Sequence, residues 1–261
     1  MRITLGRVAV ATLFLLTHAG LASAADVKVF STIGVQAALE ELAPQFEKAS
    51  GHKLQITWAT AAVLVRKVQA GETADVLILT KQGLETMVKE NKATAGSDAV
   101  FASSGMAMVV KKGAPKPDIS TPEAFKQALL KAKTISYSNP EHGGASGVYL
   151  AKLIERMGIA DQLKAKTVYP PPSGNAGKLA ASGEAELAIQ QEPEVMSAEG
   201  AEMVGPLPAE YNNITTYAAG PFAGTVQADA ANALIRFLHT PAAADVFKKR
   251  GLKPEGAAKA S

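Results

Sequence analysis

Apolar and polar positions along this chain follow two periods in turn. Val27-Lys28-Val29-Phe30-Ser31 reads as a strand, and the stretch after it carries Ala38, Leu39, Leu42 and Phe46 at helical spacing. Pro44 lies inside that stretch and predicts a kink or a shortened helix, with Gly51 as its C-cap. Residues 54–58 form a second strand, 63–70 a second helix stopped by Gly71, and 74–79 a third strand. The third strand, Ala74-Asp75-Val76-Leu77-Ile78-Leu79, is almost wholly apolar, as a strand covered on both faces must be. Strand, helix, strand at this rhythm predicts a parallel sheet built from βαβ units.

The rhythm resumes after a change of register. Residues 106–110 read as a strand, and 111–118 as a basic, proline-rich loop. Ser120-Thr121-Pro122-Glu123 supplies cap residues, a first-turn proline and an early acid, which together start a helix. Strands are predicted over 134–138, 167–169, 187–190 and 214–219, and helices over 146–157, 176–181 and 230–238. Two α/β units without a Pro/Gly-rich linker between them predict two lobes joined by crossing strands.

The first residues have a different pattern. Arg2 and Arg7 precede a nearly unbroken apolar run over 8–16, and Ala22-Ser23-Ala24 gives the small-x-small site of a cleaved signal peptide. The run falls short of the roughly 20 residues that span a bilayer, so residues 1–24 read as an export signal and the product as periplasmic. Cysteine is absent, which removes disulfides and thiolate metal sites. Beyond residue 24 the chain holds 25 basic and 24 acidic side chains with no basic stripe, which argues against nucleic-acid binding. His52, His142 and His239 have no paired metal-ligand spacing, and no phosphate loop, nucleophile elbow or dinucleotide fingerprint occurs.

The candidate chemistry lies in four strand-to-helix turns. They are Ser31-Thr32-Ile33-Gly34, Ala59-Thr60-Ala61-Ala62, Gly143-Gly144-Ala145-Ser146-Gly147 and Pro172-Ser173-Gly174-Asn175. Small and hydroxyl residues at helix N-termini leave N–H and O–H donors open to an anion. Each turn alone reads more readily as an ordinary cap. Four at matching places in both units predict a shared anion cleft.

Val27-Lys28-Val29-Phe30, the run Leu64-Val65-Arg66-Lys67-Val68-Gln69-Ala70-Gly71 with Ala74-Asp75-Val76, and Asn139-Pro140-Glu141-His142 with Gly147-Val148-Tyr149 resemble the periplasmic molybdate-binding proteins of ABC transporters. The resemblance covers essentially the whole chain after residue 24. It implies an α/β architecture of the type 2 periplasmic binding-protein fold, each lobe a mixed, mostly parallel sheet flanked by helices. Lobe 1 is expected over 25–104 plus 216–261, and lobe 2 over 105–215. The family's two oxyanion-binding serines would fall at Gly34 and near Ala61, and its closing tyrosine at Gln191. Losing those donors, each worth about 0.5–1.5 kcal/mol net, turns the expected ligand from molybdate to an organic carboxylate. Ala145-Ser146-Gly147-Val148-Tyr149-Leu150 with Ile189-Gln190-Gln191 is similar to a branch of this family that includes bacterial aconitate isomerase.

The expected protein is thus a monomeric receptor that holds a small anion between its lobes and serves an ABC permease, with no cofactor or metal. Ligand contacts are expected from Thr32, Gly34, Thr60, Ala61, Ser146, Gly147, Ser173, Asn175 and Gln191. Arg66 reads as a solvated helix charge. The alternative is an enzyme interconverting cis- and trans-aconitate by allylic proton transfer, which needs a general acid/base. Tyr149, His142 and Glu192 are the candidates for that role.

Overall fold

The computed structural model describes residues 24–94, 96, 100–142, 144–172 and 174–256. The expected leader up to residue 23, and Ser173 of the fourth turn, lie outside the described residues. In chain order the elements are β1 (Asp26–Thr32), α1 (Gln36–Ser50), β2 (Lys53–Ala59), α2 (Ala61–Gln69), β3 (Val76–Thr80), α3 (Lys81–Lys89), β4 (Val100–Ser104) and β5 (Met106–Lys111). They continue with α4 (Pro122–Lys131), β6 (Ile135–Tyr137), α5 (Ala145–Arg156), α6 (Ala160–Lys164), β7 (Thr167–Val168), α7 (Ala176–Ser182), β8 (Leu187–Gln191) and α8 (Glu192–Met196). The last are β9 (Ala201–Pro206), β10 (Thr215–Pro221), α9 (Ala228–Phe237), α10 (Pro241–Lys249) and β11 (Lys253–Pro254).

These strands form two mixed sheets, ordered β11-β4-β10-β3-β1-β2 and β7-β6-β8-β5-β9. β1 pairs in parallel with β2 and β3, and β6 with β7 and β8, as βαβ connections require. The antiparallel pairings are β10 against β3 and β4, β11 against β4, and β5 against β8 and β9. The chain passes from the first sheet to the second at Gly105 and returns between Pro206 and Thr215. Asn212 ties the two crossings together, its Oδ1 accepting from the Met106 N–H at 2.8 Å.

Alternation along the strands explains why both faces of the first sheet are buried. Val27, Val29, Val76 and Ile78 pack against Leu39, Leu42 and Phe46 of α1, with Leu234 of α9 and Phe247 of α10. Phe30, Leu77 and Leu79 face the other way, onto Leu64, Val68, Leu84 and Met87 of α2 and α3. In the second sheet Met106, Met108 and Ile189 meet Phe125, Leu129, Leu150 and Leu153. Its opposite face is lined by smaller residues, Ala107, Val109 and Ala188, which let α7 and α8 approach through Ala176, Ala180 and Val195. Each large apolar side chain so buried is worth about 1.5–3 kcal/mol.

Pro44 does not shorten α1, which runs unbroken to Ser50. The proline lies on the exposed face, where the carbonyl deprived of its N–H partner can turn to water. The C-cap is as expected: Gly51 takes φ 78° and its N–H donates to the Glu47 carbonyl at 2.9 Å.

Candidate functional site

Three helix N-termini converge where the two sheets meet. The β1 turn brings Thr32 and Gly34, α2 brings Thr60 and Ala61, and α5 brings Ala145 and Ser146 to one cleft of about 620 Å³. Thr80, Gln82 and Gly83 at the start of α3 extend its wall, as do Ser138, Tyr149, Lys152, Gln191, Glu194, Thr215 and Tyr217. Of the expected contacts, Thr32, Gly34, Thr60, Ala61, Ser146 and Gln191 therefore share one cavity, together with Tyr149.

Local structure assigns each a particular task. Thr60 caps α2 by accepting from the Val63 N–H, and its hydroxyl donates to the His142 carbonyl at 3.3 Å, a bond that reaches the second-sheet side. No side chain caps α5, which leaves its first N–H groups for the cleft. Gln191 is 2% exposed and spans the crossing strands, with 2.7 Å hydrogen bonds to Ser104 Oγ and Thr215 Oγ1. With its amide nitrogen toward Ser104, that nitrogen also donates to the Gly105 carbonyl at 3.0 Å.

Gly34 is small for a physical reason. A Cβ there would lie 2.7 Å from Cε1 and 2.8 Å from Cζ of Tyr217, so the ring fills the space a first-turn side chain would take. The Tyr217 hydroxyl is 3.2 Å from Ser104 Oγ. Burial, and then the neighbouring Glu194 carboxyl, hold its phenol above the usual tyrosine range.

Other sequence candidates stand off the main cleft. Gly147 is not in its lining; it lets α5 press on the end of β6, where an added Cβ would come 2.8 Å from the Ser138 carbonyl carbon and closer still to the oxygen. Gly147→Ala should destabilise the protein by about 1–3 kcal/mol and weaken ligand binding by tilting α5; paired thermal melts and titrations would measure both. Asn175 caps α7, its Oδ1 accepting from Gly177 N at 2.8 Å and its Nδ2 donating to the Glu194 carbonyl and Ser197 Oγ. His142 borders a small hollow beside the cleft with Ile33, Thr60 and Asn139. Glu192 packs beside Gly251 at the start of α8, where burial raises its carboxyl pKa.

Glu194, two residues on, forms part of the cleft wall. Its Oε2 is sealed from water and has no hydrogen-bond partner. Burial pushes the carboxyl up to about 8, opposed by the Gln190 amide, which favours the charged form. Arg66 and Lys152 complete the electrostatics. Each borders the cleft, one from α2 and one from α5, and neither makes an ion pair among the described residues. Tyr149 carries the Arg156 guanidinium 5.7 Å from its ring centroid, a cation–π distance.

A mixed sheet on each side of a cleft lined by helix N-termini defines a two-lobe binding protein. The azotobacter periplasmic molybdate-binding protein (Azotobacter vinelandii) has this fold, superposing with a TM-score of 0.68 at 21% identity over 87% of this chain and 98% of that one. Residues 27–253 match the model of the bacterial extracellular solute-binding protein family, and the chain belongs to that family. Among its relatives, an aconitate isomerase from Pseudomonas sp. is 34% identical over 232 residues, 87% of each chain. The molybdate-binding protein ModA of Escherichia coli (strain K12) is 25% identical over 233 residues, covering 88% of this chain and 90% of its own.

Proposed function

We propose that this protein is a periplasmic receptor for a small organic anion with more than one carboxylate, which it holds in the cleft between its lobes and presents to an ABC-type permease. One observation carries the reading: Arg66 of α2 and Lys152 of α5, both exposed and in no ion pair among the described residues, border a cleft lined by helix N-termini and hydroxyls. A carboxylate accepts from such a floor, and two cations at the walls favour further negative charge on the same ligand. The absence of side-chain hydroxyls at Gly34 and Ala61, where the resembling family carries serines, weighs against a molybdate-type oxyanion.

Thermal melts with citrate, tricarballylate, the two aconitates, sulfate and molybdate test this. A carboxylate at a hundredfold excess over its Kd should stabilise by about 2.7 kcal/mol. A shift with molybdate and none with any carboxylate would sink the proposal. Arg66→Ala and Lys152→Ala should each weaken polycarboxylate binding roughly tenfold, about 1.4 kcal/mol, and the loss should shrink in high salt; calorimetric titration measures it.

The 34% identity to an aconitate isomerase supports a second reading, in which the bound ligand is aconitate and is interconverted between its cis and trans forms. Proton NMR of cis-aconitate incubated with the protein separates the two. Appearance of the trans isomer supports catalysis, and an unchanged spectrum alongside a melting shift supports the receptor.

A further inference from the structure

We propose that Glu194 takes part in ligand binding in its neutral form, donating its carboxyl proton to a carboxylate of the bound anion, so that binding is coupled to a proton. The inference rests on the polycarboxylate reading above and names a donor within that same site.

The geometry is the starting point. α8 begins with Glu192-Pro193-Glu194, and residues two apart on a helix project about 200° from each other. Glu192 therefore turns to Gly251 while Glu194 enters the wall of the cleft. Glu194 also borders a second hollow of about 540 Å³, so with Ile33 it forms the partition between the two cavities. Its Oε2 is buried and meets no protein donor among the described residues. An ionised carboxylate there would be a buried charge offset only by the neutral Gln190 amide, whereas a neutral carboxyl needs only an acceptor for its single O–H. A ligand carboxylate supplies that acceptor once rotation of the Glu194 side chain brings its O–H out of the sealed position and into the cleft it borders. An ionised Glu194 would instead place like charges side by side.

The surroundings leave this balance to Glu194 itself. From β10 it meets the Tyr217 phenol, neutral at ordinary pH, and from β8 the Gln190 amide. The β5 and β9 side of α8 is taken up by Val195, which packs with Ala107, Val109 and Met203 and brings no charged group toward the helix. Across the second hollow stand Lys178 of α7 and Glu40 of α1, of opposite sign, together with Gln36. Across the main cleft stand Arg66 and Lys152. No basic side chain donates to the Glu194 carboxyl among the described residues.

The sign follows. Burial raises the Glu194 carboxyl to about 8, so the donor form is present below that pH and is lost as pH rises through it. Tricarballylate is a suitable probe because it is fully ionised from pH 7 upward and has no double bond to rearrange. Its affinity for the wild-type protein should be level near pH 7 and fall about tenfold per pH unit above 8. Calorimetry at pH 8.5 in two buffers of different ionisation enthalpy should register net proton uptake on binding. Glu194→Gln should bind several-fold more weakly at pH 7, and with no decline up to pH 9.5.

A level wild-type profile without proton uptake overturns the proposal, as does an equal decline in the Gln variant. Both results leave the polycarboxylate reading standing, because tricarballylate has bound. Failure of tricarballylate and every other carboxylate to bind at any pH overturns both. Melting curves of ligand-free protein at each pH separate a lost ligand from a lost fold, and the proton-uptake measurement needs no variant.

Discussion

Gly34→Ser should destabilise the protein by about 2–4 kcal/mol and should not create a molybdate site, although it restores a hydroxyl at the turn where the resembling family carries serine. Overpacking a filled core ordinarily costs about 1–3 kcal/mol, occasionally more. Here the displaced group is the fully buried Tyr217 ring, and the added Cβ would lie within 2.8 Å of Cε1 and Cζ. Moving the ring also breaks its contact with Ser104. Chemical denaturation would read the loss as a lower midpoint at unchanged slope. The cause can be isolated with Tyr217→Ala, because the double variant Gly34→Ser/Tyr217→Ala should be more stable than the sum of the two single losses predicts. Strict additivity of the two would mean that the ring and Gly34 do not compete for space.

Gln191→Ala should cost about 2–4 kcal/mol, by removing an amide from between Ser104 and Thr215 and leaving a void where the chain crosses between lobes. Each orphaned buried partner carries a penalty of about 1–3 kcal/mol, and both partners are nearly sealed from solvent. Gln191→Glu offers a sharper comparison. It keeps the size and can still accept from Thr215, but it loses the amide N–H that reaches Gly105. Its loss should therefore grow as pH rises and the new buried carboxyl ionises. Melts between pH 5 and 8 would follow this; equal destabilisation at both ends would remove the electrostatic part of the explanation.

Much of the architecture could be read from periodicity, and the exceptions have physical causes. β3 was recognisable because Val76-Leu77-Ile78-Leu79 is apolar on both faces, and the structure buries it between two helical layers. β4, Val100-Phe101-Ala102-Ser103-Ser104, escaped the sequence reading because its small polar end is buried at a crossing, where the hydroxyls of Ser103 and Ser104 find side-chain partners. α3, α6, α10, β9 and β11 likewise lie outside the elements that the periodicity predicts. β9 has only intermediate burial until its exposed final residue, so it lacks the apolar alternation that marks a strand.

At the site, turn chemistry pointed to Thr32, Thr60, Ala61 and Ser146, which the fold does gather. Turn chemistry cannot distinguish a donor aimed at a ligand from one consumed as a cap, and Asn175 is of the second kind. Nor can it separate Glu192 from Glu194, since which of two alternate residues enters the cleft depends on how α8 packs. The sequence marks Tyr217 only as part of a strand. Its role over Gly34 depends on β10 lying next to β3, a pairing between positions more than a hundred residues apart.

That same pairing sets an order of events during synthesis. All strands of the second sheet come from one continuous stretch between Met106 and Pro206, so it can assemble as soon as that stretch has left the ribosome. The first sheet cannot. β3 waits with one edge unfilled until Thr215–Pro221 emerges, and β4 waits for both β10 and β11. Domains formed from contiguous chain fold early, while non-local closure comes late and leaves strand edges open in the interval. The nascent chain thus carries its β1–β3 half incomplete until its last quarter is made, and for that interval the open edge of β3 is exposed to pairing with any other strand.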